Sequence, residues 1–117
     1  MKPNILKEKS YAFSLRIIKL FQFLSGEKRE YVLSKQILRS GTSVGANIEE
    51  AYQGESKADF IHKSAISNKE AFETHYWLRL FRDSAILERQ LAESLMADCD
   101  ELQRMLVAAI KTAKIRK

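Results

Sequence analysis

Apolar residues recur along this chain in steps of three and four, in four successive stretches. Over residues 3–25, Leu6, Ser10, Phe13, Ile17, Leu20 and Leu24 step 4, 3, 4, 3, 4, which lays one stripe down one side of an α-helix. Pro3 suits the first turn, where its missing N–H costs nothing, and Ser25-Gly26 is a stop signal. Over residues 30–53, Leu33, Ile37, Ser40, Val44, Asn47 and Ala51 repeat the same steps. Beside them run Leu38, Gly41, Gly45, Ile48 and Tyr52. Ser56 to Asp59 has the form of a capping box and opens a third helix to about Asp83. Its two rows are Phe60, Ser64, Ser67, Ala71, Thr74, Leu78, Phe81 and Ile61, Ala65, Asn68, Phe72, His75, Arg79. Small residues fill the middle of that helix, which predicts close packing. After a turn at 83–86, a fourth helix over about 87–114 carries Leu91, Leu95, Cys99, Leu102, Leu106 and Ile110.

Helices of this length joined by a few residues must lie antiparallel to their neighbours. The expected fold is all-α, an antiparallel up-down-up-down four-helix bundle, with residues 1–117 as one domain. No strand alternation or internal repeat competes with it.

Two departures from a plain bundle helix stand out. Gly41, Thr42, Ser43 and Gly45 are poor helix formers in mid-helix, each glycine costing about 1 kcal/mol against alanine. Either a partner helix approaches closely over a Gly41-xxx-Gly45 face, or the helix breaks near 40–43. The stripe keeps phase through the region, which favours a continuous helix. The first helix is also apolar off its stripe. Tyr11, Leu15 and Ile18 form a second ridge about 100–160° from the first at 100° per residue. A first helix in so short a bundle is not central, so that ridge is expected to be a subunit interface.

The composition narrows the class of protein. Hydrophobic residues are 45% and charged residues 30%, the balance of a folded, soluble chain. The longest apolar run is Met105 to Ile110, six residues, too short to cross a membrane. The single Cys99 and the lack of a signal-peptide pattern fit a reducing cytoplasm. Residues 1–39 hold nine Lys/Arg against three Glu, a net of +6, and Lys111, Lys114, Arg116 and Lys117 close the chain unopposed. Lys7, Arg16, Lys19 and the four tail cations are the candidates for phosphate contact, against the alternative that they only solvate the surface.

Candidate chemistry is sparse. Asp59-Phe-Ile-His62 is half of the Glu-x-x-His pairing a di-iron bundle needs, and His75 has Phe72 three residues before it. Cys99 lies on an apolar stripe, where a thiol is inert. Ser40 to Gly45 lacks the lysine and the preceding strand of a phosphate loop. No catalytic residue, metal or cofactor is expected, and the chain reads as a non-enzyme. The polar residues Arg39, Ser40, Ser43, Asn47 and Glu50 form a seam on the second helix. A buried Asn47 needs partners, across the bundle to Ser67 or Asn68 if it sets helix register, or in a polar ligand groove. Glu50 is expected to pair with Arg39 or Arg79.

The run from Leu33 to Ala51 carries an Arg39-Ser40 pair, then Ser43-Val44, then Asn47-Ile48-Glu49-Glu50. It resembles the central signature of the four-helix-bundle proteins encoded within intervening sequences of bacterial 23S ribosomal RNA genes. Ala65, Asn68, Glu73-Thr74 and Tyr76-Trp77-Leu78 resemble that family's second block, although many members have serine where Asn68 stands. Ser10-Tyr11-x-Phe13 and Arg16-Ile17 resemble its opening. The resemblance spans nearly the whole chain. It implies a bacterial bundle that assembles into a homopentamer and has no known enzyme activity. Relatives that serve as accessory proteins of diversity-generating retroelements are basic pentamers that associate with nucleic acid and a reverse transcriptase. Two functions therefore stand open: an oligomer bound to RNA or ribonucleoprotein, and an oligomeric scaffold for protein partners alone.

Overall fold

In the computed structural model, which describes residues 3–116, four helices run through the chain: α1 Ile5–Gly26, α2 Leu33–Gln53, α3 Lys57–Asp83 and α4 Arg89–Ile115. The helix starts are set by local chemistry. The Asn4 carboxamide accepts the Lys7 N–H at 3.0 Å, so Asn4 is the N-cap of α1 and Pro3 lies outside the helix, not in its first turn. Ser56 caps α3 as expected, accepting the Asp59 N–H at 3.1 Å. α2 begins at Leu33 rather than Glu30. The Glu30 carboxylate instead reaches forward to the N–H groups of Ser34 (2.7 Å) and Val32 (3.3 Å). It thereby supplies the acceptor that the N-cap Val32 lacks.

The turns differ from expectation too. Gly26 ends α1 without a left-handed conformation. The left-handed residues are Arg29 (φ 54°) and Ala85 (φ 62°), in the α1–α2 and α3–α4 connections, where a side chain is disfavoured.

Consecutive helices pack along their lengths, α1 approaches α4 along a much thinner seam, and the backbones of the diagonal pairs stay apart. This is the antiparallel up-down-up-down bundle, about 50 × 25 × 20 Å. All four helices contribute to one cluster of buried apolar side chains, with Phe13, Ile17, Leu24, Ile37, Val44, Leu78, Phe81, Leu102 and Leu106 almost sealed from solvent. Each such side chain is worth about 1.5–3 kcal/mol on burial. One position of the α4 stripe shifts. Leu91 is exposed and Ala92 is buried, so the true row is Ala92, Leu95, Cys99, Leu102, Leu106.

α2 is continuous through Gly41 and Gly45. The reason is close approach. A Cβ on Gly41 would lie 2.8 Å from two carbons of Ile17, and one on Gly45 would lie 3.0 Å from Ser14 Oγ and 3.3 Å from the Ser10 carbonyl oxygen. The glycine face is where α1 lies against α2.

Candidate functional site

The polar seam forms the α2–α3 contact. Arg39 donates to Glu70 at 3.0 Å and also to Glu73, which takes the Trp77 indole N–H at 3.1 Å. The guanidinium holds the Glu73 carboxyl below the usual carboxylate range. Ser40 is buried, with its hydroxyl 2.9 Å from Thr74 Oγ1, which in turn lies 2.8 Å from the Glu70 carbonyl. The carbonyl only accepts, so Thr74 donates to it and receives the Ser40 proton. The Ser67 hydroxyl donates to the Val44 carbonyl at 2.7 Å.

Two expectations fail in this seam. Asn47 does not cross the bundle. It is half-buried and its amide donates to the Ser43 carbonyl of its own helix at 2.9 Å. Ser67 is already taken by Val44, and Asn68 faces the α4 side of α3. Glu50 pairs with Lys63 at 2.8 Å, not with Arg39 or Arg79. Arg39 is engaged with α3, and Arg79 lies over the Tyr76 ring.

Among the described residues no catalytic arrangement emerges. Cys99 is buried and donates to the Ala71 carbonyl at 3.0 Å, and burial pushes its thiol up to about 12. Among the described residues, no group of three or more His, Cys, Asp or Glu is placed to hold a metal ion, and no helix is long and apolar enough to cross a membrane.

The candidate cations do not form one site. Lys7 pairs with Glu49 at 3.3 Å, and Arg16 pairs with Asp98 at 2.6 Å and donates to Ser94 at 3.2 Å. Lys19 shares a hollow with Leu91 and Leu95. Lys111 lies sixteen residues beyond Leu95 on the same helix, roughly 24 Å at 1.5 Å per residue. Lys111, Lys114 and Arg116 cluster at the far end without an ion-pair partner among the described residues. Lys117 lies outside the described residues.

The ridge on α1 is where the pattern placed it. Tyr11 is 65% exposed, Leu15 49% and Ile18 38%. Two further surfaces were not read from the sequence. A cleft of about 520 Å³ opens at the end of the bundle between Tyr52, Phe60 and the small side chains Ala109 and Ala113, with Lys57 and Arg116 at its rim. A groove of about 450 Å³ runs between the outer sides of α3 and α4, lined by Asn68, Phe72, Gln103, Val107 and Lys111. Phe72 is 65% exposed there. Its place on the second row of α3 was the available signal.

Comparison with known proteins follows the same lines. No curated protein matches the chain. A crystal structure of a protein of unknown function from the S23 ribosomal protein family of Bacteroides thetaiotaomicron VPI-5482 superposes with a TM-score of 0.91 at 50% identity. The match covers 95% of this chain and 99% of that one. The family model for the 23S rRNA-intervening sequence protein matches residues 2–108. Signature, bundle and match agree, and the chain belongs to the 23S rRNA-intervening sequence protein family.

Proposed function

We propose that this chain is a non-enzymatic scaffold that works as a homo-oligomer, with five subunits as the resemblance implies. The observation that carries the reading is the α1 ridge. Tyr11, Leu15 and Ile18 stand in water on a helix whose other face is fully packed. Contiguous exposed apolar side chains of this kind mark an interaction surface. The test is native mass by sedimentation at micromolar concentration. The wild type runs as an oligomer, and Leu15→Glu with Ile18→Glu runs as a smaller, fully helical species. A monomeric wild type overturns the proposal.

A second reading, association with RNA or ribonucleoprotein, draws on Lys111, Lys114 and Arg116, which have no ion-pair partner among the described residues, and on the family's name. A +5 chain repeated five times carries about +25, a field that attracts phosphate at low salt. Lys111, Lys114 and Arg116 support this reading better than Lys7 and Arg16, whose charges are already met by carboxylates. RNA binding at about 50 and 200 mM salt, with the tail cations Lys111, Lys114, Arg116 and Lys117 replaced by Gln in a variant, decides it. Binding that falls steeply with salt and drops in the variant supports contact through the tail. Binding absent at the lower salt, or unchanged in the variant, leaves the scaffold for protein partners alone.

A further inference from the structure

We infer that the α1 ridge of one copy seats in the α3–α4 groove of the next, so that subunits join head to tail. This rests on the homo-oligomer reading and adds the receiving surface and the direction of assembly.

The two surfaces lie on opposite faces of the bundle. On α1, Lys9 and Arg16 point to α4, where they meet Glu101 and Asp98. Lys7 and Ser14 point to α2, at Glu49 and Gly45. Tyr11 and Ile18 fall outward beside that second pair, by 100° per residue. On α3, Asn68 and Phe72 fall on the side of His75, which meets Asp100 of α4 at 3.3 Å. α1 and α3 are diagonal, with their backbones apart across the core. No copy can bring its own ridge to its own groove, and a ridge that fits the groove must come from another copy. Such a heterologous contact builds a ring when its rotation closes.

The groove lacks what the ridge carries. The Asn68 Oδ1 atom is sealed within the chain without a hydrogen-bond partner, a state that favours any turn of the side chain that finds one. Tyr11 is the ridge residue with a hydroxyl, which both donates and accepts, so it pairs with the Asn68 amide once that half-buried side chain turns its sealed oxygen toward the groove. Lengths agree as well. Tyr11 to Ile18 spans roughly 10 Å of helix, and the groove wall from Gln103 to Lys111 roughly 12 Å, at 1.5 Å per residue. Charges agree too. Asp100 also lines the groove but already meets His75; Glu8 lies one turn from Tyr11 on the outer face of α1, and Arg104 and Lys111 flank the groove. None of Glu8, Arg104 and Lys111 is in an ion pair among the described residues. Phe72 and Val107 supply the apolar floor against which Leu15 and Ile18 are buried.

Sedimentation of three proteins separates the possibilities. Wild type is an oligomer, and Leu15→Glu with Ile18→Glu and Phe72→Glu each fall to the monomer mass with helical content unchanged. A wild-type monomer defeats the homo-oligomer reading itself. If the ridge variant dissociates while Phe72→Glu keeps the full mass, the oligomer stands and the head-to-tail seating is wrong. A second measurement holds even if Phe72→Glu does not fold. In a Cys99→Ala background, Tyr11→Cys and Asn68→Cys in one chain give a covalent ladder beyond the dimer on oxidation, and neither single variant does. Dimers from Tyr11→Cys alone mean ridge meets ridge, and no ladder from the double variant means the ridge does not reach Asn68. Either result overturns the inference.

Discussion

The two edges of α2 are built on different chemistry from one short stretch of sequence. Toward α1, Gly41 and Gly45 present bare backbone, and Ile17 and Ser14 come close enough that a Cβ would collide with them. Toward α3, the neighbours Arg39, Ser40 and Glu50 meet Glu70, Glu73, Thr74 and Lys63 through hydrogen bonds and ion pairs. The first edge is held by shape, which allows no adjustment in a packed interior. The second is held by polar pairs that are buried in the middle and half-exposed at the ends. A signature that looks like one motif is therefore two contacts interleaved at helical spacing.

The largest break comes at the glycine edge. Gly41→Val places a branched Cβ against fully buried Ile17 and is expected to cost about 2–4 kcal/mol in urea unfolding, the overpacking penalty exceeding the helix-propensity gain. Stability within about 0.5 kcal/mol of wild type would show that α1 is free to move aside. The buried middle of the α3 edge is the next most sensitive place. Thr74→Val leaves the Ser40 hydroxyl without its partner and is expected to cost about 1–3 kcal/mol, whereas Thr74→Val with Ser40→Ala lies closer to wild type. A double variant as unstable as the sum of the singles would mean the pair is not coupled.

The smallest effect is at the exposed end. The Arg39 contact holds the Glu73 pKa below its unfolded value. Its stabilisation is present above the unfolded pKa and is lost as pH falls through the lower, folded one. Arg39 is 52% exposed and Glu73 34%, so the contribution is at most about 1 kcal/mol. Glu73→Gln should flatten the acid limb of the stability curve below about pH 4.5 and leave neutral stability within that margin. An acid limb identical to wild type would remove the pair from the ledger of this edge.

What the sequence determined was the set of helices, their inward faces and the α1 ridge. These follow from periodicity along a single helix, and Leu6 to Leu24, Ile37 to Ala51 and Leu95 to Leu106 reveal them without any knowledge of neighbours. The glycine face was legible only in part: the phase of the stripe favoured a continuous helix, but a close partner and a break near 40–43 both accounted for two glycines there. Tertiary structure decided everything that depends on how one helix sits against another. A relative slide of a turn changes which residue faces which, so Glu50 met Lys63 rather than an arginine, and Asn47 turned to its own backbone. Leu91 and Ala92 lie about equally far to either side of the α4 stripe at 100° per residue, and packing buried Ala92. The groove at Asn68 and Phe72 needs two helices to exist at all. The candidate cations dispersed because α1 and α4 carry them at different heights and because carboxylates from other helices reach Lys7 and Arg16. One-dimensional spacing determines which face of a helix is apolar, and only packing determines what that face, or the opposite one, meets.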